Sequence, residues 1–334
     1  MKELSVAVLG GGSWGTTVAA LTARNVPVTL WARSSDTVDE INRERRNHRY
    51  LPDAVLPNGL RATSSIEEAV TGADVVVMGI PSQSFREVLM EVRKHLRPWV
   101  PIISLTKGLE LDTRLRMTEI INDLVPGHPV GVLTGPNLAR EIMAGQAAAS
   151  VIAMEDETIC RSLQSVFKSG LFRVYTNNDI IGCELGGVLK NIIAIAVGMG
   201  DGQGAGDNTR AALITRGLAE VTRLGVAMGG RARTFSGLAG MGDMIATCTS
   251  PQSRNRHVGM ELGKGKTMEQ IAAEMFMVAE GAKSAPAVMA LAELHDVDMP
   301  IARDVYRVVS GEMNARGAYR GLLRTAAGAE SEPG

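Results

Sequence analysis

Residues 6–15 read Val-Ala-Val-Leu-Gly-Gly-Gly-Ser-Trp-Gly. An apolar, β-favouring run leads into glycines at positions 10, 12 and 15, and an Ala-rich helical segment follows over residues 16–24. This is G-x-G-x-x-G between a strand and a helix, with the next strand predicted over residues 28–32. In that setting Gly10 permits the turn, Gly12 lets the backbone approach a pyrophosphate, and Gly15 lets the helix pack on the strand. The stretch therefore predicts a dinucleotide-binding β-α-β unit with an anion site at the helix N-terminus.

The remaining strand and helix patterns divide the chain in two. Up to residue 180, apolar strands alternate with helices, which predicts a doubly wound, mainly parallel α/β Rossmann domain over residues 1–180. The predicted strands cover residues 5–9, 28–32, 74–78, 102–105, 130–133 and 148–153. From there helical periodicity dominates, which predicts an all-α domain over residues 181–324, with residues 325–334 as a disordered tail. Within it, the Gly-rich residues 198–207 are expected to form a loop.

Composition argues against several classes of protein. The 334 residues have a formal net charge of −1 and 4% aromatic residues, so we expect no nucleic-acid binding, and the basic run 43–49 is interpreted as a solvated helix end. Three separated cysteines and five histidines without ligand spacing predict neither a disulfide framework nor a metal site. With no signal peptide and no uncharged apolar stretch of about 18 residues, we expect a cytoplasmic protein without membrane insertion. The sequence leaves open whether the protein forms a homodimer.

Arg33 follows the second predicted strand, at the position that reads the cofactor ribose. An acidic residue there holds the ribose 2′-hydroxyl of NAD, whereas an arginine accepts the 2′-phosphate of NADP. No acidic residue precedes Asp36, so the sequence favours NADPH without excluding NADH. The alternative is a solvated arginine at a strand end.

Three positions suit a phosphorylated ligand. Lys107 follows a predicted strand, and ligands of open α/β sheets bind at the carboxyl ends of strands; a surface lysine beside a glycine turn is the alternative. Gly135 follows the next strand and frees backbone N–H groups. Ser253, Arg254 and Asn255 place a hydroxyl, a guanidinium and an amide side by side, which fits a phosphate grip or a polar loop with capping residues.

Lys190 interrupts an otherwise apolar helix over residues 188–197. A lysine there is costly unless it is paired or hydrated, so it lies either on a polar helix face or in a site. As a functional residue it would donate and accept the proton in carbonyl reduction, since burial and nearby charge tune its pKa. Asp243, in the glycine-rich turn 237–243, is the acid expected to orient it.

Together these motifs resemble the bacterial NAD(P)-dependent glycerol-3-phosphate dehydrogenase family. The resemblance extends from Val6 to about Leu323 and rests on residues 10–15, 106–108, 135–136, 184–191, 215–220, 237–243 and 253–255. It implies a Rossmann domain followed by a helical domain like that of 6-phosphogluconate dehydrogenase. The implied reaction is the reduction of dihydroxyacetone phosphate, a phosphorylated triose, to sn-glycerol 3-phosphate, a phospholipid precursor.

The resemblance also implies roles for individual residues. Lys190 would be the catalytic acid and base. Cofactor contacts would be Ser13, Trp14, Arg33, Lys107, Ala139, Arg254, Val278 and Glu280, beside Gly10, Gly12 and Gly15. Substrate contacts would be Lys107, Gly135, Lys190, Asp243, Ser253, Arg254 and Asn255. Many members carry Thr or Ser where this chain has Asn137, whose amide can still hydrogen-bond the substrate.

Two other functions remain open from the sequence. One is another β-hydroxyacid-type dehydrogenase with a Lys-Asn catalytic helix, because residues 253–255 do not by themselves exclude a sugar acid. The other is a redox sensor that binds a dinucleotide without turnover, in which Lys190 and Asp243 would have no role.

Overall fold

The computed structural model describes residues 4–275 and 279–322. The predicted cofactor contact at Val278 and the predicted tail 325–334 lie outside these ranges. The described residues pack into two compact units. The first holds those up to Thr106 together with Leu115–Ile180, and the second holds Lys107–Arg114 together with those from Ile181 onward. The sequence patterns do not indicate that Lys107–Arg114 packs with the second unit. The predicted domain limits at residues 180 and 324 stay predictions.

The first unit is built on an eight-stranded sheet with the order β3-β2-β1-β4-β5-β6-β7-β8. The strands are β1 (Val6–Leu9), β2 (Val28–Trp31), β3 (Leu60–Thr63), β4 (Val75–Met78), β5 (Ile102–Ser104), β6 (Val130–Thr134), β7 (Ala148–Met154) and β8 (Phe172–Asn177). Neighbouring strands are parallel except β6 and β7, which are antiparallel. The predicted α/β fold is confirmed, and β3 and β8 were missed.

Seven helices accompany this sheet: α1 (Ser13–Thr22), α2 (Ser35–Glu44), α3 (Ile66–Val70), α4 (Ser82–Val92), α5 (Met117–Leu124), α6 (Ala139–Met143) and α7 (Glu157–Phe167). Alternate residues of β1 belong to two different apolar clusters, Val6 and Val8 to one, Ala7 and Leu9 to the other. Successive side chains of a strand point to opposite faces. The sheet is therefore covered on both faces, as a doubly wound fold requires.

The second unit is helical in its described part. Its helices are α8 (Ile180–Gly202), α9 (Asp207–Ala227), α10 (Ala232–Phe235), α11 (Asp243–Thr249), α12 (Arg254–Gly263), α13 (Met268–Glu274), α14 (Glu280–Leu294), α15 (Pro300–Val309) and α16 (Ala315–Leu322). A π-helical turn, Leu238–Gly242, precedes α11. By length and composition α8 is apolar enough to cross a membrane, yet 89% of its most apolar window is buried. Its residues between Leu185 and Met199 contribute to this unit's buried apolar core.

One predicted loop is partly helical, and one predicted turn is helical. The expected loop 198–207 is wrong for its first part, because α8 continues to Gly202. A Cβ atom on Gly198 would overlap the Arg256 carbonyl oxygen of α12, and one on Gly259 would overlap the Ile195 carbonyl oxygen of α8. These glycines thus serve close helix packing rather than chain flexibility. The predicted turn 237–243 is likewise the π-helical turn followed by the start of α11.

Candidate active site

The glycine-rich turn of the first unit leaves room above its backbone. Gly10 has φ +122°, and a Cβ atom there would overlap the Gly79 carbonyl oxygen, whereas one on Gly15 would overlap the carbonyl oxygen of Gly10. Nothing lies within 4 Å of a Cβ atom built on Gly12. Gly12 is the N-cap of α1, where no side chain caps the first N–H groups. An uncapped helix start beneath open space fits a dinucleotide pyrophosphate.

Of three side chains expected to contact the cofactor, Ser13 and Trp14 lie within residues 10–15 and Arg33 follows β2. Ser13 Oγ donates a hydrogen bond to the Tyr50 carbonyl oxygen at 3.4 Å. The Trp14 ring stands edge-on to Phe172 with centroids 6.3 Å apart, and its buried Nε1 has no hydrogen-bond partner among the described residues. Arg33 is exposed just beyond the end of β2.

The turn after β6 presents a second group of predicted ligands. Gly135 has φ +130° and Ala139 is the first residue of α6. Asn137 Oδ1 accepts a 3.0 Å hydrogen bond from Ser150 Oγ, which also donates to the Thr134 carbonyl oxygen at 2.8 Å. Asn137 Nδ2 is buried and has no partner in the described part of the chain. The amide therefore has donor capacity to spare.

In the second unit, one buried carboxylate joins two lysines. Asp243 Oδ1 lies 3.2 Å from Lys190 Nζ, and Asp243 Oδ2 lies 2.6 Å from Lys107 Nζ. The side chains of Asp243 and Lys190 are 3% and 6% exposed, and that of Lys107 is 19% exposed. Lys190 Nζ also donates to Thr247 Oγ1 at 2.5 Å, and Thr247 Oγ1 in turn donates to the Asp243 carbonyl oxygen at 2.7 Å. This cluster of Lys107, Lys190, Asp243 and Thr247 fixes the ammonium group of Lys190 within the apolar helix α8.

Burial decides the protonation of Lys190. Loss of hydration lowers its pKa from the ordinary 10.5 to about 8, although the charge of Asp243 acts to raise it. The nearby Lys107 ammonium lowers the pKa further. A lysine with a pKa of about 8 can both give and take a proton near neutral pH.

A chain of amides extends from this cluster. Asn191 Nδ2 donates to the Lys107 carbonyl oxygen at 3.5 Å and to the Gly187 carbonyl oxygen at 3.3 Å. Asn191 Oδ1 accepts from Asn255 Nδ2 at 2.9 Å, and Asn255 Oδ1 accepts from the backbone N–H of Gly281 at 2.9 Å. Each polar end of Asn255 thus makes one bond, and because an amide nitrogen carries two hydrogens, a substrate contact need not replace the bond to Asn191. Gly281 follows Glu280, the first residue of α14.

The start of α12 carries two arginines in different surroundings. Ser253 Oγ caps the helix by accepting from the Arg256 backbone N–H at 3.2 Å. Arg256 is bound by Asp201, which accepts from its Nε at 2.7 Å. Arg254 is exposed and has neither ion pair nor hydrogen bond with any residue that the structure describes. Anion binding by its guanidinium stays a prediction.

Comparisons with known proteins give the family. Two protein-family models match the chain. The one described as NAD-dependent glycerol-3-phosphate dehydrogenase N-terminus matches residues 5–160, and the one described as NAD-dependent glycerol-3-phosphate dehydrogenase C-terminus matches residues 179–320. The chain belongs to the NAD-dependent glycerol-3-phosphate dehydrogenase family. The resemblance read from its motifs is thereby confirmed.

Individual relatives of this family match over nearly the whole chain. Glycerol-3-phosphate dehydrogenase (NAD(P)+) 2 of Sphingopyxis alaskensis is 68% identical over 99% of this chain and 100% of its own length. Glycerol-3-phosphate dehydrogenase (NAD(P)+) of Mycobacterium avium is 54% identical over 99% of this chain and 97% of its own. The crystal structure of glycerol-3-phosphate dehydrogenase from Coxiella burnetii superposes with a TM-score of 0.92 at 38% identity, covering 97% of this chain and 99% of that one.

Sequence reasoning about this glycerol-3-phosphate dehydrogenase family member missed two residues of the second unit. Thr247 bonds both to Lys190 and to the backbone of Asp243, and Asn191 links Lys107 to Asn255. The available signal for Thr247 was its spacing, because a residue four positions after Asp243 lies on the same face of a helix. The sequence predicted a glycine-rich turn that ends at Asp243, so helical spacing was not applied from Asp243 onward.

Proposed function

We propose that this family member catalyses the reversible, NAD(P)H-dependent reduction of dihydroxyacetone phosphate to sn-glycerol 3-phosphate. The observation that carries the proposal is the buried ammonium group of Lys190, held by Asp243 and Thr247 with its pKa lowered to about 8. Carbonyl reduction needs one proton donor beside the carbonyl oxygen, and this group has the required protonation behaviour.

In the direction of reduction, Lys190 acts in its charged form. The ammonium group stabilises the negative charge that develops on the C2 oxygen and then gives that oxygen its proton. When bound, the reduced nicotinamide supplies the hydride to C2. Lys190 is left neutral and takes a proton from solvent before the next turnover. In the direction of oxidation, neutral Lys190 removes the hydroxyl proton.

Asp243 and Thr247 orient Lys190 rather than transfer protons themselves. Asp243 holds Lys190 and Lys107 on its two oxygens, and Thr247 accepts from the ammonium group while donating to backbone. The three hydrogens of an ammonium group rotate freely unless acceptors fix them. Two acceptors in this cluster leave one hydrogen for the substrate oxygen.

The phosphate of the substrate is assigned to Arg254, with Ser253 and Asn255 beside it. Arg254 is the exposed guanidinium at the start of α12 without a protein partner among the described residues. A guanidinium binds a phosphate through two parallel hydrogen bonds. Lys107, Gly135 and Asn137 are assigned to the substrate as well, with Asn137 offering its unpartnered Nδ2.

The cofactor is assigned to the glycine-rich turn, with Ser13, Trp14, Arg33, Ala139 and Glu280 as further contacts. The open space at Gly12 and the uncapped start of α1 support the pyrophosphate site. The exposed Arg33 supports a preference for NADPH over NADH, because its guanidinium can bind the 2′-phosphate that only NADPH carries. A cytoplasmic location and a role in glycerophospholipid synthesis complete the proposal.

An absorbance assay tests this function. The purified protein is mixed with NADPH or with NADH, and dihydroxyacetone phosphate is added. We expect rapid loss of the reduced-nicotinamide absorbance with both cofactors, faster with NADPH, and very slow loss with unphosphorylated dihydroxyacetone. Cofactor binding without oxidation would indicate a sensor, and faster oxidation with an unphosphorylated sugar acid or keto acid would indicate a different dehydrogenase.

A further inference from the structure

The side chain of Asn47 contacts the backbone of the glycine-rich turn. It is fully buried, with 0% exposure, and follows α2. Its Nδ2 donates to the Gly11 carbonyl oxygen at 2.9 Å and to Thr16 Oγ1 at 3.0 Å. Its Oδ1 is buried and has no partner among the described residues. The only side-chain hydrogen bonds of Asn47 in that part of the chain therefore go to the turn and to the first helix after it.

The bond to Gly11 fixes the orientation of a peptide group. A trans peptide is planar, so its carbonyl and its N–H point in opposite directions. With the Gly11 carbonyl held by Asn47, the N–H of Gly12 must face away from Asn47. A peptide between two glycines rotates more readily than any other, because glycine accepts nearly every backbone conformation. A bond from outside the turn is thus needed to hold this one.

The loop that carries Asn47 is itself braced. The backbone N–H groups of Tyr50 and Leu51 donate to the Asn47 carbonyl oxygen at 3.2 and 2.8 Å. The Tyr50 carbonyl oxygen in turn accepts from Ser13 Oγ at 3.4 Å. Residues 47–51 therefore meet the turn at two points, Gly11 and Ser13.

Burying an amide with an unsatisfied oxygen is unfavourable for folding. An apolar residue of similar size would fill the same space without leaving a buried acceptor unpaired. The presence of asparagine is therefore better explained by what its Nδ2 holds than by packing.

We propose that Asn47 is a positioning residue that directs the Gly12 N–H toward the cofactor pyrophosphate. The inference rests on the proposed function in one respect, that a dinucleotide binds at this turn. It adds a residue that touches neither cofactor nor substrate and acts through the Gly11–Gly12 peptide.

Direct binding measurements test the proposal. The dissociation constant for NADPH is measured by fluorescence for the wild type, Asn47→Ala and Asn47→Leu. We expect both variants to bind NADPH about tenfold or more weakly, as loss of a bond to a charged group implies. Asn47→Leu keeps a side chain of similar shape, has no amide hydrogens and buries no unpaired polar atom, so it covers the case in which the cavity of Asn47→Ala impairs folding.

Asn42→Ala is the matched control. Asn42 lies on α2 and also makes two hydrogen bonds to backbone, from Nδ2 to the Ala62 carbonyl oxygen and from the Ala62 N–H to Oδ1, both at 2.9 Å. Those bonds reach β3 and not the glycine turn. We expect this variant to lose thermal stability while keeping the wild-type dissociation constant for NADPH.

Cofactor fragments locate the effect. ADP carries a pyrophosphate and adenosine 2′-phosphate does not, and both are measured as competitors of NADPH. Asn47→Ala should weaken the binding of ADP by about the same factor as the binding of NADPH, and it should leave the affinity for adenosine 2′-phosphate unchanged. Wild-type affinity for NADPH in Asn47→Leu, or equal losses for both fragments, would overturn the inference. Failure of the wild type to bind NADPH would instead count against the proposed function.

Discussion

Asp243 Oδ1 lies 3.2 Å from Lys190 Nζ, yet this ion pair does not keep the lysine at its ordinary pKa. Burial opposes the charge of Lys190 more strongly than Asp243 supports it, and the carboxylate is shared with Lys107 at 2.6 Å. A single carboxylate divided between two ammonium groups orients both without neutralising either. The arrangement holds Lys190 in place and leaves its proton transferable.

Replacing Lys190 tests its role in proton transfer. Lys190→Ala should lower kcat by at least about 10²- to 10⁴-fold, the usual contribution of a general acid, while the Kd for NADPH stays near the wild-type value. Lys264→Ala, which removes a half-exposed lysine of the same unit, serves as the control and should keep full activity. A kcat close to the wild type in Lys190→Ala would remove this residue from the mechanism.

The lowered pKa of Lys190 gives the two directions opposite pH dependence. Reduction needs the charged lysine, so its kcat/KM should fall above about pH 8, whereas oxidation needs the neutral form and should rise through the same pH. Because Asp243 raises this pKa, Asp243→Asn should move the break in the reduction profile to lower pH. Profiles measured in both directions check this, and a break that stays in place would separate Asp243 from the titration of Lys190.

Much of the fold was predictable because its strands carry strong local signals. The continuous run Val75–Met78 is buried on both faces of the sheet, and the sequence predicts a strand there. Strand β3, with an exposed Arg61 in four residues, and strand β8, at the edge of the sheet, carry weaker signals and were missed. Glycines at 198 and 202 suggested a loop, since the sequence does not show that α12 packs against them.

The candidate site was predictable where chemistry and local position coincide. A lysine in an apolar helix and an acid after several glycines were sufficient to pair Lys190 with Asp243. The contact of Asn47 with Gly11 spans 36 residues and depends on the path of a loop, so no periodicity or motif indicates it. The ion pair of Arg256 with Asp201 likewise appears only after α8 and α12 have packed, and it leaves Arg254 without a partner among the described residues.

Glu220 of α9 should make stability depend on pH. Its carboxylate accepts from the N–H groups of Ile301 and Ala302 at 2.7 and 3.1 Å, and burial raises its pKa from 4.5 to about 7. The folded protein therefore binds more protons at this site than the unfolded chain between those values, so its contribution to stability falls as pH rises from about 4.5 to 7.

Glu220→Gln should remove that dependence. Between pH 5 and 8 the Tm of the variant should rise relative to the wild type as pH increases. The exposed Glu293 of α14 provides the control, because Glu293→Gln should follow the wild-type curve in parallel. Parallel curves for Glu220→Gln would show that this carboxyl group does not titrate in the range.

Arg33 is expected to select the cofactor. Arg33→Asp should lower the ratio of kcat/KM for NADPH to that for NADH by about tenfold or more, because a carboxylate repels the 2′-phosphate and can accept from a 2′-hydroxyl. Arg43→Asp changes an exposed arginine at the other end of α2 and controls for the change in net charge. An equal ratio in the wild type and Arg33→Asp would mean that Arg33 does not read the ribose.

Arg254 is expected to act through the shape of its guanidinium as well as through its charge. Arg254→Lys should reduce kcat/KM for dihydroxyacetone phosphate by about 10- to 100-fold, since an ammonium group cannot make two parallel hydrogen bonds to a phosphate and bonds to charged groups contribute roughly 1.5–3 kcal/mol. Part of the loss should appear in kcat, because phosphate binding also positions the carbonyl for reaction. Unphosphorylated dihydroxyacetone is the matched substrate: its slow turnover should change little in the variant. Equal losses on both substrates would indicate that Arg254 supports the fold or the cofactor instead of the phosphate.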